Sequence, residues 1–157
     1  MSESLKKKLL QIEQMAIQGL QKNDKLKKDL TRLFTENVHE VVYMKYFPKK
    51  YQRTGLLGNP KSVQIDNTSD GIAMYNTRAD DGKYIPEVIE TGEGYDFHSS
   101  NRSYGYERPR PFIAVTRNEI NAKQIHIIAV KDYLESLGLQ VFKQNYRMAG
   151  STRKFRK

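Results

Sequence analysis

The chain of 157 residues contains no cysteine and no tryptophan. The missing cysteines exclude disulfides, thiolate zinc sites and cysteine nucleophiles, and they suit a reducing compartment. The longest apolar run, residues 127–130, is far shorter than the ~20 residues that a membrane-spanning helix needs. The N-terminus is charged and amphipathic, without the apolar segment of a secretory signal. We therefore expect a soluble protein that is made in the cytoplasm.

Acidic residues are also missing from the C-terminal end, since none follows Glu135. Six basic residues beyond it supply two thirds of the formal net charge of +9: Lys143, Arg147, Arg153, Lys154, Arg156 and Lys157. We therefore expect a basic tail at residues 147–157, after a single domain at residues 1–146. A charge excess of this size favours a polyanionic partner, but it also serves solubility or fits an acidic protein surface.

The apolar periodicity predicts that residues 3–46 are helical. Apolar residues recur there at alternating spacings of three and four, which places them on one stripe. Gly19 and Asn23 interrupt the stripe, and Asn23 can cap a second helix, so we expect a break at residues 19–24. Beyond the helix, alternating residues predict a β-hairpin with strands at 62–66 and 72–76 and a third strand at 84–91.

The last third of the chain predicts a long connection at residues 92–111, one helix and a short strand at 139–142. The helix starts between Phe112 and Arg117, where Thr116 and Glu119 fit a capping box, and it ends at Gly138. Its predicted buried stripe consists of Ile120, Ile127, Val130, Leu134 and Leu137. The predicted fold is α+β: a small antiparallel sheet of about three to five strands, packed by a long, broken N-terminal helix and a C-terminal helix.

Residues that would carry catalysis or hold a metal are sparse. His39, His98 and His126 lack the spacing of a metal site, and no GxSxG or SxxK motif supplies a nucleophile. Gly92 and Gly94 flank Glu93, but no Lys-Ser or Lys-Thr pair and no helix start follow them, which argues against a phosphate-binding loop. We therefore expect no enzymatic activity, cofactor or metal.

The connection at 92–111 interleaves basic and aromatic residues: Arg102, Tyr104, Tyr106, Arg108 and Arg110. Such residues contact phosphates and stack on nucleobases. Tyrosine and arginine are also favoured anchors of protein–protein interfaces. The local sequence leaves these two interpretations open.

Three short stretches occur in a recognisable order: residues 51–57, which end in Thr-Gly-x-Leu, the segment from Tyr84 to Gly92, and residues 108–112, which end in Arg-Pro-Phe before the last helix. In this order the chain resembles the tail-completion, or head–tail joining, proteins of the neck of long-tailed double-stranded DNA bacteriophages. The resemblance covers about residues 25–137. It implies a non-enzymatic virion protein that forms a ring, generally of six copies, at the neck, after assembly in the host cytoplasm.

The resemblance also implies partners and contact residues. The ring would join the head connector, or stopper, to the tail terminator or tail tube, and genomic DNA would pass through its lumen. Candidate contact residues to copies or partners are Arg53, Thr54, Gly55, Tyr95, Phe97, Arg102, Tyr104, Tyr106, Arg108 and Arg110. Residues of the structural motif are Glu90, Gly92, Pro109, Pro111 and Phe112. The basic tail, with Arg147, Arg153, Lys154, Arg156 and Lys157, is expected to be held by neighbouring subunits. The alternative is a free nucleic-acid-binding protein that uses the basic, aromatic loop and this tail.

Overall fold

A computed structural model describes residues 2–45, 54–94 and 108–142 of the protein. The helices of these residues are α1 (Glu3–Gln21), α2 (Asp24–Asn37), α3 (Ile85–Thr91), α4 (Phe112–Ala122) and α5 (Ile125–Ser136). The strands are β1 (Val63–Thr68), β2 (Gly71–Asn76), β3 (Ala79–Asp80) and β4 (Lys83–Tyr84). A π-helical turn, Val38–Tyr43, continues α2, and the 3-10 turns Leu56–Gly58 and Pro60–Ser62 precede β1. The predicted α+β class is confirmed.

The break in the N-terminal helical region lies where the sequence predicts it. α1 ends at Gln21, and Asn23 adopts an extended backbone and caps α2, its Oδ1 accepting from the Leu26 amide at 2.9 Å. The Gln21 side-chain amide donates to the carbonyl oxygens of Thr68, at 2.8 Å, and Gly71, at 3.3 Å. These bonds fix the end of α1 against the turn between β1 and β2.

The β-hairpin is confirmed, but the described residues form two separate two-stranded sheets where a single sheet of three to five strands was predicted. β1 pairs with β2 in antiparallel register, and β3 pairs with β4 in a separate two-stranded sheet. The predicted third strand is mostly helix α3. Pro86 is tolerated in the first turn of a helix, Gly92 ends it with φ +75°, and Ile85, Val88 and Ile89 also fit a helical period. Residues 139–142, predicted as a strand, contain no regular structure.

The C-terminal helix is two helices rather than one. Gln124 has a left-handed backbone, with φ +51°, and separates α4 from α5. The predicted capping box is wrong, because Thr116 lies inside α4 and its hydroxyl donates to the Phe112 carbonyl. Ile127 and Leu137, predicted to be buried, are about half exposed. The predicted cap at Gly138 is confirmed: its amide and that of Leu139 bond the carbonyls of Glu135 and Leu134, a Schellman motif.

Two groups of buried side chains form the core of the described residues. The first, which we call the Phe112 cluster, consists of Phe34, Val38, Val41, Val42, Leu57 and Phe112. The second joins Leu26 and Leu30 of α2 to Ala129 of α5. Met74 of β2 packs against both groups, so the hairpin connects the two parts of the core.

Candidate functional site

The three stretches that carry the resemblance meet around the Phe112 cluster. Leu57, from the Thr-Gly-x-Leu loop, and Phe112, from the Arg-Pro-Phe stretch, both belong to it, and Ile89 of α3 packs against it. The fully buried Phe112 ring contacts Phe34 edge to face, with centroids 5.5 Å apart. Segments that are far apart in the sequence are thus held by one apolar centre.

Glu90 links α3 to the start of α4. The N-cap position of α4 is Pro111, whose side chain accepts no hydrogen bond. The Glu90 carboxylate takes this role, with Oε2 accepting from the Ile113 amide at 2.8 Å and Oε1 from the Ala114 amide at 3.0 Å. The first amides of a helix lack partners within the helix, and the helix dipole favours a negative charge there. Glu90 therefore caps a helix to which it does not belong.

The backbone at the start of α4 is bound to α3 as well. The Arg110 amide donates to the Ile89 carbonyl at 3.0 Å. Pro111, with φ −79° and ψ 59°, forms an inverse γ-turn in which the Phe112 amide donates to the Arg110 carbonyl at 2.8 Å. This turn directs Phe112 into the core. We call residues 85–92 and 108–114 together the α3–α4 junction.

Similar contacts fix the loop at residues 54–58. The Tyr43 hydroxyl accepts from the Gly58 backbone amide at 2.9 Å, and the Leu57 carbonyl accepts from Nδ2 of the buried Asn76 side chain at 2.9 Å. Gly55 has φ +70°, a left-handed conformation that glycine adopts without steric cost. The loop thus returns to the core close to where the π-helical turn ends.

The two loops predicted to contact other subunits are residues 47–60 and 92–111, and described residues within or beside each of them pack in or against the Phe112 cluster. In the sequence, residues 46–53 lie between Tyr43 and Leu57, and residues 95–107 lie between Ile89 and Phe112. The Lys83 ammonium also donates to the Gly94 carbonyl at 2.8 Å. The predicted contact residues within these segments lie outside the described residues: Arg53, Tyr95, Phe97, Arg102, Tyr104 and Tyr106. The basic tail at 147–157 lies outside them too.

The other predicted site residues differ in their exposure to solvent. Thr54, Arg108, Pro109 and Pro111 are exposed, and Arg110 is partly buried. The exposed Thr54 and Arg108 are the described residues that follow the segments at 46–53 and 95–107 in the sequence. Gly92 ends α3, its amide donating to the Val88 carbonyl at 2.9 Å. Gly92 therefore closes the helix that carries Glu90.

Comparison with known proteins assigns a family to this fold. The profile of the YomN family matches residues 2–136, from the N-cap of α1 to the last residue of α5. The chain belongs to the YomN family. It is 35% identical over 133 residues to the SPbeta prophage-derived protein YomN of Bacillus subtilis (strain 168), covering 84% of this chain and 94% of that protein. No solved structure matches the chain significantly.

Membership of the YomN family makes the chain a protein of phage descent. The match includes the Phe112 cluster, the α3–α4 junction and both predicted contact segments, and it ends before the basic tail. The cap by Glu90 thus lies within the part of the chain that the family defines.

Buried polar side chains beside this junction were not predicted from the sequence. Asn37, at the end of α2, donates to the Thr116 hydroxyl at 3.2 Å and to the Glu119 carboxylate at 2.9 Å. Hydrogen bonds from Lys123 first, and then from Asn37, lower the pKa of Glu119 below its usual value. The only sequence signal is that Asn37 lies on an apolar stripe, three residues after Phe34 and four before Val41. Asn37 and Thr116 hold α2 and α4 together, and we assign no chemistry to them.

The described residues contain no group of three or more histidine, aspartate or glutamate side chains that could hold a metal. His39 is exposed and stacks edge to face on Tyr43, with ring centroids 6.2 Å apart, while His126 is partly buried. His98 lies outside the described ranges. Within residues 2–45, 54–94 and 108–142, no helix is long and apolar enough to cross a membrane.

Proposed function

We propose that this YomN-family protein is a structural component of the phage neck, where it forms a ring between the head connector and the tail. In this proposal it is a passive adaptor and part of the DNA conduit, without turnover. Its phage descent and the ordered motifs at 54–57, 84–92 and 110–112 support the proposal. Its partners would be copies of itself, the head connector or stopper, and the tail terminator or tail tube protein.

The observation that carries the proposal is that residues flanking both predicted contact segments pack in or against the same Phe112 cluster. Hydrogen bonds and apolar contacts around the Phe112 cluster fix the described residues on either side of both segments. A ring subunit must present the same contact residues in the same relative position in every copy, because each interface repeats around the ring. Flanking residues that are fixed to one cluster support this requirement.

A competing function is free nucleic-acid binding through Arg102, Arg108, Arg110 and the basic tail. The net charge of +9 favours it. A ring whose lumen conducts DNA needs only phosphate contacts without base recognition. The two functions therefore differ in how tightly the isolated protein binds DNA and in how steeply that binding falls with salt.

Deletion of the gene from the phage that encodes this chain tests the proposal. We expect electron microscopy of the lysate to show DNA-filled heads and separate tails, and wild-type protein supplied in trans to restore joined particles. Labelled protein should be located at the head–tail junction. Normal particles in the deletion strain, or label elsewhere on the particle, would overturn the proposal.

Variants of the contact segment make the test more specific. Tyr104→Ser combined with Tyr106→Ser should abolish joining while the purified protein keeps its thermal stability. The matched control is Arg117→Ser, which changes an exposed residue of α4 and should restore joined particles. Tight, strongly salt-dependent DNA binding by the isolated protein, together with normal joining by the tyrosine variant, would favour the nucleic-acid alternative.

A further inference from the structure

The two halves of α1 have different surroundings. Gly19 is buried, and a Cβ atom at this position would lie 2.8 Å from Cδ1 of Tyr133 on α5. Met15, Ala16 and Ile17 are partly buried, whereas every residue from position 2 to position 14 is exposed. About 18 Å of helix, residues 3–14, therefore extends beyond the packed part of α1.

A continuous apolar seam runs along both halves of α1. Leu5, Leu9, Ile12, Ala16 and Gly19 follow one another at spacings of four, three, four and three residues, which is the heptad spacing of a coiled coil. At Gly19 this seam touches α5. Further toward the N-terminus the same seam is open, since Leu5, Leu9 and Ile12 are 47%, 49% and 42% exposed.

A helical extension of this length gains stability from a partner. Isolated helices shorter than about 12–15 residues are marginal in water, and most helical stability in proteins comes from packing of the apolar face. Residues 3–14 have that length, and their seam is exposed. A helix with a complementary seam would bury it.

The charges beside the seam fit a second copy of the same helix. In an antiparallel pair that sets Leu9 against Ile12 of the second copy, the flanking positions set Lys6 against Glu13 of that copy. Two-fold symmetry forms this Lys6–Glu13 pair twice. A parallel pair can match Lys8 with Glu13, but it brings both folded bodies to the same end, where Tyr133 already occupies the seam.

We propose that residues 3–14 form an antiparallel, two-fold coiled coil with a second copy of this chain. This contact is isologous, so it differs from the head-to-tail contacts that close a ring. It therefore joins two copies, or two rings, independently of the proposed neck function. The inference rests on α1 alone and stands or falls separately from the location of the protein in the virion.

Sedimentation equilibrium of the full chain, from about 1 µM to about 1 mM, tests the pairing. Leu9→Ser combined with Ile12→Ser should halve the mass of the wild-type species. Leu10→Ser is the matched control, because Leu10 is 57% exposed but lies off the seam, and this variant should keep the wild-type mass. A wild-type mass that never exceeds that of the double serine variant would overturn the proposal.

Charge reversal tests the antiparallel orientation. Lys6→Glu alone places a new carboxylate opposite Glu13 of the other chain, twice in the symmetric pair, and should weaken pairing by about tenfold. Adding Glu13→Lys in the same chain restores opposite charges in the antiparallel pair, so affinity should recover. In a parallel pair the Glu13→Lys change would instead set a second ammonium group against Lys8, and affinity would stay low. Failure of the double variant to recover would therefore overturn the antiparallel arrangement.

Discussion

Glu90 shows how much of the α3–α4 junction depends on one side chain. Its carboxylate satisfies two backbone amides at the start of α4, which Pro111 cannot do. Ile89, the preceding residue, contributes a backbone carbonyl to Arg110 and an apolar side chain to the core. Two adjacent residues of a short helix thus determine where the Arg-Pro-Phe stretch lies.

Replacement of Glu90 by alanine should destabilise the protein. Glu90→Ala leaves the Ile113 and Ala114 amides without their acceptor, and we expect the free energy of unfolding to fall by about 1–2 kcal/mol. Urea titration monitored by circular dichroism measures the change. Glu87→Ala is the control, because Glu87 is exposed on the same helix. Equal stability of the two variants would show that the cap contributes nothing.

The sequence places Glu90 in a motif but does not reveal which groups it bonds. Local caps such as Asn23 and Gly138 were predictable, since their partners lie within five residues in the sequence. The amides that Glu90 binds are 23 and 24 residues away. Asn37 bonds residues that are 79 and 82 positions away. The hydrophobic periodicity of a sequence does not reveal hydrogen-bond partners that are so far apart along the chain.

At the scale of elements, the contact between α1 and α5 requires a glycine. The Gly19 backbone lies against the Tyr133 ring, and an added methyl group would meet Cδ1 at 2.8 Å and Cβ and Cγ at 3.0 Å. Cβ and Cγ are near the backbone of Tyr133, so they cannot move without moving α5. Close approach, rather than a turn, explains this glycine inside a helix.

Gly19→Ala should therefore destabilise the protein, although alanine favours helix by about 1 kcal/mol. Overpacking costs about 1–3 kcal/mol, so we expect a net loss of about 1 kcal/mol in thermal or urea unfolding. In a Tyr133→Ala background the clash is absent, and Gly19→Ala should become stabilising. A stabilising effect in the wild-type background would contradict the close packing.

Secondary-structure elements were predictable where the local sequence signals and the tertiary structure agree. The hairpin and the break at Asn23 follow from turn and cap residues. Residues 84–91 fit both a strand and a helix, because β-branched residues there also recur at three and four. The break at Gln124 has no glycine or proline to mark it. Ile120 and Ile125, on either side, both pack against the second core group, so tertiary packing sets that break.

At the scale of the whole molecule, both the net charge and the stability of the fold depend on pH. The chain carries 27 lysine and arginine residues against 18 aspartate and glutamate residues. Hydrogen bonds from Tyr75 and then Gln64 lower the pKa of Asp66, and Lys123 and then Asn37 lower that of Glu119. A carboxyl whose pKa is lower in the folded state stabilises the fold above its unfolded pKa. Protonation on acidification removes this contribution and increases the repulsion between positive charges.

We therefore expect these two carboxyls to stabilise the fold fully at neutral pH, and the free energy of unfolding to fall as the pH drops below their ordinary pKa values of 4.5 and 3.8. Urea titrations at several pH values measure the decline. Tyr75→Phe removes the hydroxyl that donates to Asp66 and should return the pKa of Asp66 toward its ordinary value in an NMR titration. An unchanged Asp66 titration in this variant would contradict the assignment.

The residues that flank the two predicted contact segments are fixed around the Phe112 cluster, and this affects how the sequence of such a protein can diversify. When both ends of a segment are bound to the core, the segment can gain, lose or exchange residues at little cost to folding, since loop-closure entropy grows slowly with length. Substitutions in the cluster itself, such as at Phe112, would instead disturb both segments together. The architecture therefore separates the residues that are under selection for packing from the segments in which substitutions cost folding little.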